Sequence, residues 1–285
     1  MAGHMGSACG CATAGNRARP APSQRQEQEQ ASPMQRFQDK VIVVTGGASG
    51  MGAAACRLFA AEGGRVVVAD LDGDGALKVA NEIGGRAFRI DVAKEAELRD
   101  LVAFATEGTG RLDVLFNNAA VGHSATGRYK MASIVDTPED AWEGIVAINM
   151  KGVAFGCKHA IPVMVAQGGG AIVNNASIQA IKGILGADAY TCAKGGVVSL
   201  TRTLAVDWGA KNIRVNCICP GPIATPMIQA LLDDPATAPG MYADVPMARV
   251  GQPEEVARVA VFLASDDASY VNGAIVPVDG GMSVR

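Results

Sequence analysis

Val41-Ile42-Val43-Val44 is an unbroken β-branched run, and Thr45-Gly46-Gly47-Ala48-Ser49-Gly50-Met51-Gly52 follows it with no charge between. A run without polar alternation fits a strand covered on both faces rather than one with a wet side. The glycine-rich stretch must then turn the chain and open a helix, from about Gly50 to Glu62, which Gly63-Gly64 stops. A second strand, Arg65-Val66-Val67-Val68-Ala69-Asp70, comes next. Strand, turn, helix and strand in that order make a parallel crossover unit, and such units restrict the chain to few topologies.

The alternation continues to the end of the chain. Strand patterns fall at about Arg86 to Asp91, Leu112 to Asn117, Gly170 to Asn175, Ile213 to Ile218 and Ala274 to Val278. Helical spacing covers about Trp142 to Gln167, where Pro162 is expected to introduce a kink, then a helix carrying Tyr190 to about Ala210, and finally Pro253 to Leu263. The fold class expected is α/β: a doubly wound parallel sheet of about seven strands with helices on both faces, in a single domain over about 37–285. No repeat at solenoid spacing appears.

Residues 1–36 read differently. They hold Gln26-Glu27-Gln28-Glu29-Gln30 and three prolines, with little apolar content before Phe37. Such a stretch buries too little area to order itself, so a disordered extension is expected. Gly3-His4-Met5 fits a tag remnant, and a start at Met34 is an equal reading. Three arginines and no acid before Glu27 faintly resemble a transit peptide, and no apolar core of a secretion signal is present.

The glycine turn after the first strand suits a dinucleotide. Missing side chains let backbone approach a pyrophosphate, and the helix beyond supplies free N–H groups at its positive end. Asp70 closes the second strand 18 residues after Gly52, where a carboxylate would accept from a ribose 2′-hydroxyl and repel a 2′-phosphate. Position 71 is Leu and Ser49 stands in the turn, so no cation is at hand for that phosphate. NAD is therefore expected over NADP. The plain alternatives are a Gly-rich turn without a ligand and a strand-end Asp like Asp72 or Asp74.

Further on, Ser177 precedes a helix that carries Tyr190-Thr191-Cys192-Ala193-Lys194. Tyr190 and Lys194 lie one turn apart on one helix face. An ammonium near a phenol favours the phenolate, which would bring the Tyr190 pKa toward working pH and make it a general acid/base, with Ser177 sharing the reacting oxygen. Alone, this pair is equally a half-buried aromatic and a solvated charge.

Composition excludes other classes. Charged residues make up 19% and the net charge is −3, which gives no general attraction to nucleic acid or to an anionic membrane. No apolar run approaches the ~20 residues of a membrane helix. The seven cysteines are Cys9, Cys11, Cys56, Cys157, Cys192, Cys217 and Cys219. An odd count in mainly apolar surroundings fits reduced thiols in a cytoplasmic protein. Cys9/Cys11 and Cys217/Cys219 are each spaced to hold a soft metal, but nothing completes a zinc set, so no metal is expected.

Taken in order, these motifs resemble the short-chain dehydrogenase/reductase family over about 37–285. Thr45-Gly46 to Gly50-x-Gly52 resembles its glycine motif, Asp91-Val92 its adenine-contacting pair, and Asn117-Asn118-Ala119-Ala120 its Asn-Asn-Ala-Gly, with Ala120 in place of the usual Gly. Asn149, Ser177, Tyr190 and Lys194 match its catalytic positions, Pro220-Gly221 with Ile223 and Thr225 the loop that holds the nicotinamide carboxamide, and Asp279-Gly280-Gly281 its C-terminal signature. The resemblance implies a Rossmann fold and NAD held by Gly46, Ser49, Gly50, Met51, Gly52, Asp70, Leu71, Asp91, Val92, Asn118, Ala119, Tyr190, Lys194, Pro220, Gly221, Ile223 and Thr225. It implies that Tyr190 moves the proton of a substrate alcohol or ketone, that Lys194 lowers its pKa and bonds the nicotinamide ribose, and that Ser177 positions the reacting oxygen. It further implies that Asn149 holds a water linking Lys194 to solvent, a structural Asn being the alternative, and that the chain is a homotetramer packed through the Asn149 and Tyr190 helices.

Ligands of open α/β sheets lie beyond the strand C-terminal ends, so three stretches should border the substrate. They are Ile178 to Asp188 with Gln179, Ile181, Ile184 and Leu185; about 222–249, read as a lid, with Met227, Ile228, Leu231, Leu232, Met241, Tyr242 and Met247; and Val121 to Thr137 with His123, Arg128, Tyr129 and Lys130. Their apolar, Met-rich character favours an apolar secondary alcohol or ketone of cyclic, steroid or terpenoid type. Two other functions stay open: a 3-oxoacyl-thioester reductase, which Asp70 and the net charge disfavour, and a non-catalytic NAD-sensing or scaffold protein.

Overall fold

The structure, a computed structural model, describes Met1, Gly3, Tyr129 and residues 34–122 and 132–285. Most of the 1–36 extension, and His123, Arg128 and Lys130, lie outside the described residues. The chain divides into Met1–Met34 and a compact unit, Gln35–Arg285.

Seven parallel strands form one sheet: β1 Val41–Thr45, β2 Arg65–Asp70, β3 Arg86–Arg89, β4 Val114–Asn117, β5 Gly170–Asn175, β6 Ile213–Pro220 and β7 Ile275–Val278. Their order is β3-β2-β1-β4-β5-β6-β7. The order reverses between β1 and β4, which leaves a crevice at their C-terminal ends because successive crossovers there leave on opposite faces. Asn117 pairs with Asn174 in register, so β4 and β5 end together at that crevice.

The nine α-helices are α1 Gly50–Ala61, α2 Gly73–Ile83, α3 Glu95–Thr106, α4 Glu139–Val146, α5 Gly152–Ala166, α6 Asp188–Trp208, α7 Gln229–Asp233, α8 Ala238–Tyr242 and α9 Pro253–Ala264, among the described residues. One face of the sheet packs Leu98, Leu101, Ile161, Met164 and Val197 from α3, α5 and α6 against Val43, Ile172 and Val215. The other packs Phe59, Val79, Val256 and Val261 from α1, α2 and α9 against Ile42, Val44 and Val173. The apolar runs of β1 and β5 thus alternate between two cores, which is why the sequence shows no polar side to them.

The long helical pattern before β5 departs from expectation. It starts at Glu139 and is continuous through Pro162, while its irregularity is a π-helical turn, Ala147–Lys151. Such a bulge widens the helix by one residue and re-aims a side chain, here Asn149. α2 and α3 fill the crossovers on either side of β3, and α7 and α8 supply the helical pieces of the 222–249 segment.

Candidate active site

The glycine turn between β1 and α1 is shaped by contacts no side chain would permit. Gly46 and Gly50 have φ of +67° and +51°, the left-handed region that favours Gly. A methyl on Gly46 would stand 2.8 Å from the Ala119 Cα, and one on Gly52 would fall inside the Gly46 carbonyl oxygen. Ser49 enters α1 with extended backbone and no side-chain cap, and no acid sits in the first turn, so the helix presents its N–H groups uncovered.

These groups open onto a cavity of about 340 Å³. Of the residues expected around a nucleotide, Gly46, Ser49, Gly50, Met51, Asp70, Leu71, Asp91, Val92, Asn118, Ala119, Tyr190 and Thr225 line it. Gly52 lies behind the turn, Lys194 is buried behind Tyr190, and Pro220, Gly221 and Ile223 line the neighbouring cavity instead. Ile90, Ile148 and Pro226 also line it; sequence reading singled out none of them, because apolar residues at element ends carry no signal of their own. Asp70 is held against the glycine turn: its Oδ2 accepts from the Ala48 N–H at 3.0 Å and its Oδ1 from the Asp72 N–H at 3.0 Å. Asp91 Oδ1 accepts from the Ala93 N–H at 3.0 Å. A glycine cradle that a Cβ would fill, an uncovered helix N-terminus and a carboxylate at the β2 end fit a dinucleotide.

Two layers of asparagine tie the strand ends together. Asn117 Nδ2 donates to Asn174 Oδ1 at 2.9 Å, and Asn174 Nδ2 to Thr201 Oγ1 on α6 at 3.0 Å. One residue further along, Asn175 Nδ2 donates to Asn118 Oδ1 at 2.9 Å, and Asn118 Nδ2 to the carbonyls of Thr45 and Gly46 at 3.1 and 3.0 Å. These bonds offset the burial of polar groups where the sheet meets the crevice, except at Asn175 Oδ1, which is buried with no donor among the described residues.

Ser177, Tyr190 and Lys194 come together as the sequence implied. The Ser177 hydroxyl bonds the Tyr190 hydroxyl and accepts from the Gln179 N–H at 3.2 Å. Lys194 Nζ lies 5.7 Å from the Tyr190 ring centre and donates to the Asn175 carbonyl at 2.7 Å. The expected lowering of the phenol pKa is corrected here. Among the protein's own groups burial pushes Tyr190 up to about 12, with the Ser177 bond acting the other way, and burial pushes Lys194 down to about 8. Both side chains are almost fully covered, and the ammonium is turned onto a carbonyl rather than toward the phenol oxygen.

The Lys194 shift has a consequence for stability. Its folded pKa lies below the ordinary 10.5, so between about 8 and 10.5 the unfolded chain binds the extra proton and the fold gains stability as pH rises. Below about 8 the fold carries the full cost of a buried ammonium, up to about 3 kcal/mol. Denaturant unfolding without added nucleotide should show the parent gaining on Lys194→Met between pH 7.5 and 10; a constant difference would refute the assignment.

Asn149 has its side chain on the loop after β4. Its Oδ1 accepts from the Val121 N–H at 2.9 Å and its Nδ2 donates to the Val121 carbonyl at 2.7 Å. Both polar ends clamp the backbone of Val121, and each keeps one further bonding position, the second N–H of Nδ2 and the second lone pair of Oδ1. The next residue, Gly122, with φ +126°, packs against the Tyr190 ring: a methyl there would stand 2.7 Å from Tyr190 Cδ2. Gly122→Ala should lower kcat at least tenfold and, since a side chain is strained at that φ, lower the melting temperature as well; an unchanged kcat would show that this contact does not hold the ring.

A second cavity, of about 400 Å³, adjoins the first. Tyr190, Met51, Thr225 and Met227 border both, so the phenol stands at the seam. Gln179, Ile184 and Met227, expected near the substrate, line it, as do Leu185, Ile228, Leu231 and Met241. Ile181, Leu232, Tyr242 and Met247 do not. Asn175 and Met282 line it unannounced by the sequence, Met282 coming from the turn after β7 with its carbonyl bonded by Lys182 Nζ at 3.0 Å. Tyr129 packs on the Ile145, Ala189, Tyr190 and Ala193 cluster. The Cys217 S–H donates to the Ile218 carbonyl at 3.5 Å, and among the described residues no group of His, Cys, Asp and Glu is arranged to hold a metal.

A doubly wound sheet with a glycine cradle and a Ser–Tyr–Lys cluster at its switch point defines a nucleotide-dependent oxidoreductase. The family model described as enoyl-(acyl carrier protein) reductase matches residues 46–283, and the chain belongs to the short-chain dehydrogenase/reductase family. It is 42% identical over 250 residues to meso-2,3-butanediol dehydrogenase of Serratia marcescens, covering 86% of this chain and 95% of that one. Cyclopentanol dehydrogenase of a Comamonas species is 39% identical over 257 residues, covering 88% and 100%. The crystal structure of levodione reductase superposes with a TM-score of 0.80 at 36% identity, covering 87% of this chain and 99% of that one. The chain is an enzyme acting on CH–OH groups or the corresponding ketones.

Proposed function

We propose that the protein is an NAD-dependent dehydrogenase/reductase that moves a hydride between NAD(H) and a mainly apolar secondary alcohol or ketone. The observation that carries this reading is the Ser177–Tyr190 hydroxyl pair at the seam of a glycine-lined cavity and an apolar one. Gly46, Ser49, Gly50 and Met51 hold the pyrophosphate end, Asp70 the adenine ribose, and Asp91, Val92, Asn118 and Ala119 the remaining wall. When bound, NAD supplies the hydride acceptor; the chain supplies the proton chemistry. Ser177 and Tyr190 grip the substrate oxygen, and the phenol takes the alcohol proton or returns one to the ketone. Lys194, behind the phenol, offers the cationic charge that favours phenolate once its ammonium leaves the Asn175 carbonyl. Asn149 and Gly122 fix the loop against which the ring rests.

The relatives named for butanediol, cyclopentanol and levodione, together with the apolar lining, support small cyclic or vicinally oxygenated substrates. The test is a panel of such alcohols with NAD and NADP, followed at the nicotinamide absorbance. Oxidation of a cyclic secondary alcohol with NAD at least tenfold better than with NADP is expected; a preference for NADP, or NADH binding with no turnover of any panel member, overturns the reading. Asp70 carries the nucleotide choice, so Asp70→Ala should shrink the NAD-to-NADP ratio of kcat/KM at least tenfold. An unchanged ratio would remove Asp70 from that role.

The 222–249 segment, with α7 and α8, serves in this reading as the lid over the apolar cavity. A homotetramer in the cytoplasm completes it. Gly195 on α6 has nothing within 4 Å and leaves room for a neighbouring helix; light scattering should give a four-chain mass, and a monomer mass would reject the assembly.

A further inference from the structure

Asn175 closes β5 with a side chain 3% exposed, and its neighbours fix how its amide is turned. Asn118 uses its Nδ2 on the carbonyls of Thr45 and Gly46, so its Oδ1 is the atom that faces Asn175. The atom of Asn175 that meets it at 2.9 Å must therefore be the donor Nδ2. That turns Asn175 Oδ1 the other way, where it is buried and no described group donates to it. An amide oxygen left so is costly, and a Leu or Val would fill the same place without that cost. The residue borders the apolar cavity that holds Ser177 and Tyr190, and its own carbonyl accepts from Lys194.

We propose that Asn175 Oδ1 is a recognition point of the active site, accepting a hydrogen bond from an N–H or O–H of the molecule bound beside Ser177 and Tyr190. The donor belongs either to the nucleotide or to the substrate. Asn175 lines the apolar cavity and not the glycine-lined one, and its oxygen is turned away from Asn118, which lines the glycine-lined one; both favour the substrate. This rests on the NAD reading above, but it concerns a side chain that reading does not use.

Two variants separate the acceptor from the tie to Asn118. Asn175→Leu removes both. Asn175→Asp keeps the acceptor oxygen and loses the Nδ2 donor. NADH binding by fluorescence titration, and KM for a cyclic secondary alcohol at saturating NAD, give the two arms. A nucleotide donor predicts a Kd for NADH raised about fivefold or more in the Leu variant and within twofold of the parent in the Asp variant. A substrate donor predicts an unchanged Kd and the same pattern in KM. Leu and Asp weakening either quantity alike would mean that Asn175 acts only through Asn118, and neither moving would mean that the oxygen meets nothing; both results overturn the proposal. A parent that fails to bind NADH removes the NAD reading itself, a result distinct from these. Should the Leu variant not fold, Asn175→Ala, which lacks both groups and adds no bulk, takes its place.

Discussion

Tyr190→Phe should bind NADH as the parent does and lose on the order of 10²–10⁴ in kcat, the usual worth of a positioned proton-transfer group. The substitution removes one oxygen and leaves the ring. That ring is held by Ile145 and Ala193 and by the Gly122 backbone, none of which touches the hydroxyl, so packing and melting temperature should hardly change. The lost oxygen is bonded to Ser177 at the seam of both cavities, and among the described residues no second phenol lines either of them. Single-turnover kinetics with NAD and a cyclic alcohol would read the loss directly. A kcat within tenfold of the parent would mean that the proton leaves by another route.

Gly52→Ala should abolish nucleotide binding and lower the yield of folded protein. The obstacle is backbone: the new methyl would overlap the Gly46 carbonyl oxygen and approach Asn118 Nδ2 to 2.6 Å, and no rotamer can relieve the first of these. Relief requires the turn to open, which pulls Gly46 away from Ala119 and spoils the cradle from which Gly50 and Met51 face the cavity. Titration with NADH beside a thermal melt measures both effects. Unimpaired binding would show that the turn tolerates a side chain, and would take away the steric reason for the glycine.

Much of this was legible along the chain. The β-branched run of Val41–Val44 and the glycines after it announced the first crossover, because burial on both faces and a turn without side chains leave marks in residue type alone. Asp70, Tyr190 and Lys194 were readable for the same reason: an element's end and a helical turn are local properties. Asn149 was readable as a position but not as a device. Its partners belong to Val121, 28 residues earlier, and the π turn that aims it has no signature in its own sequence. The direction of the Tyr190 shift was read wrongly, and the Lys194 shift was not read at all, because a spacing of four shows proximity but not burial.

The sequence by itself determined the parallel sheet, the glycine turn after its first strand and the placing of Tyr190 and Lys194 on one helix face, since each follows from conformational preference or spacing within a few residues. Only the tertiary structure decided that Pro220 and Gly221 line the apolar cavity, that Met282 reaches it too, and that the amide of Asn175 turns its oxygen away from Asn118. These depend on which distant strands end side by side, and a hydrogen bond or a cavity wall exists only once they do.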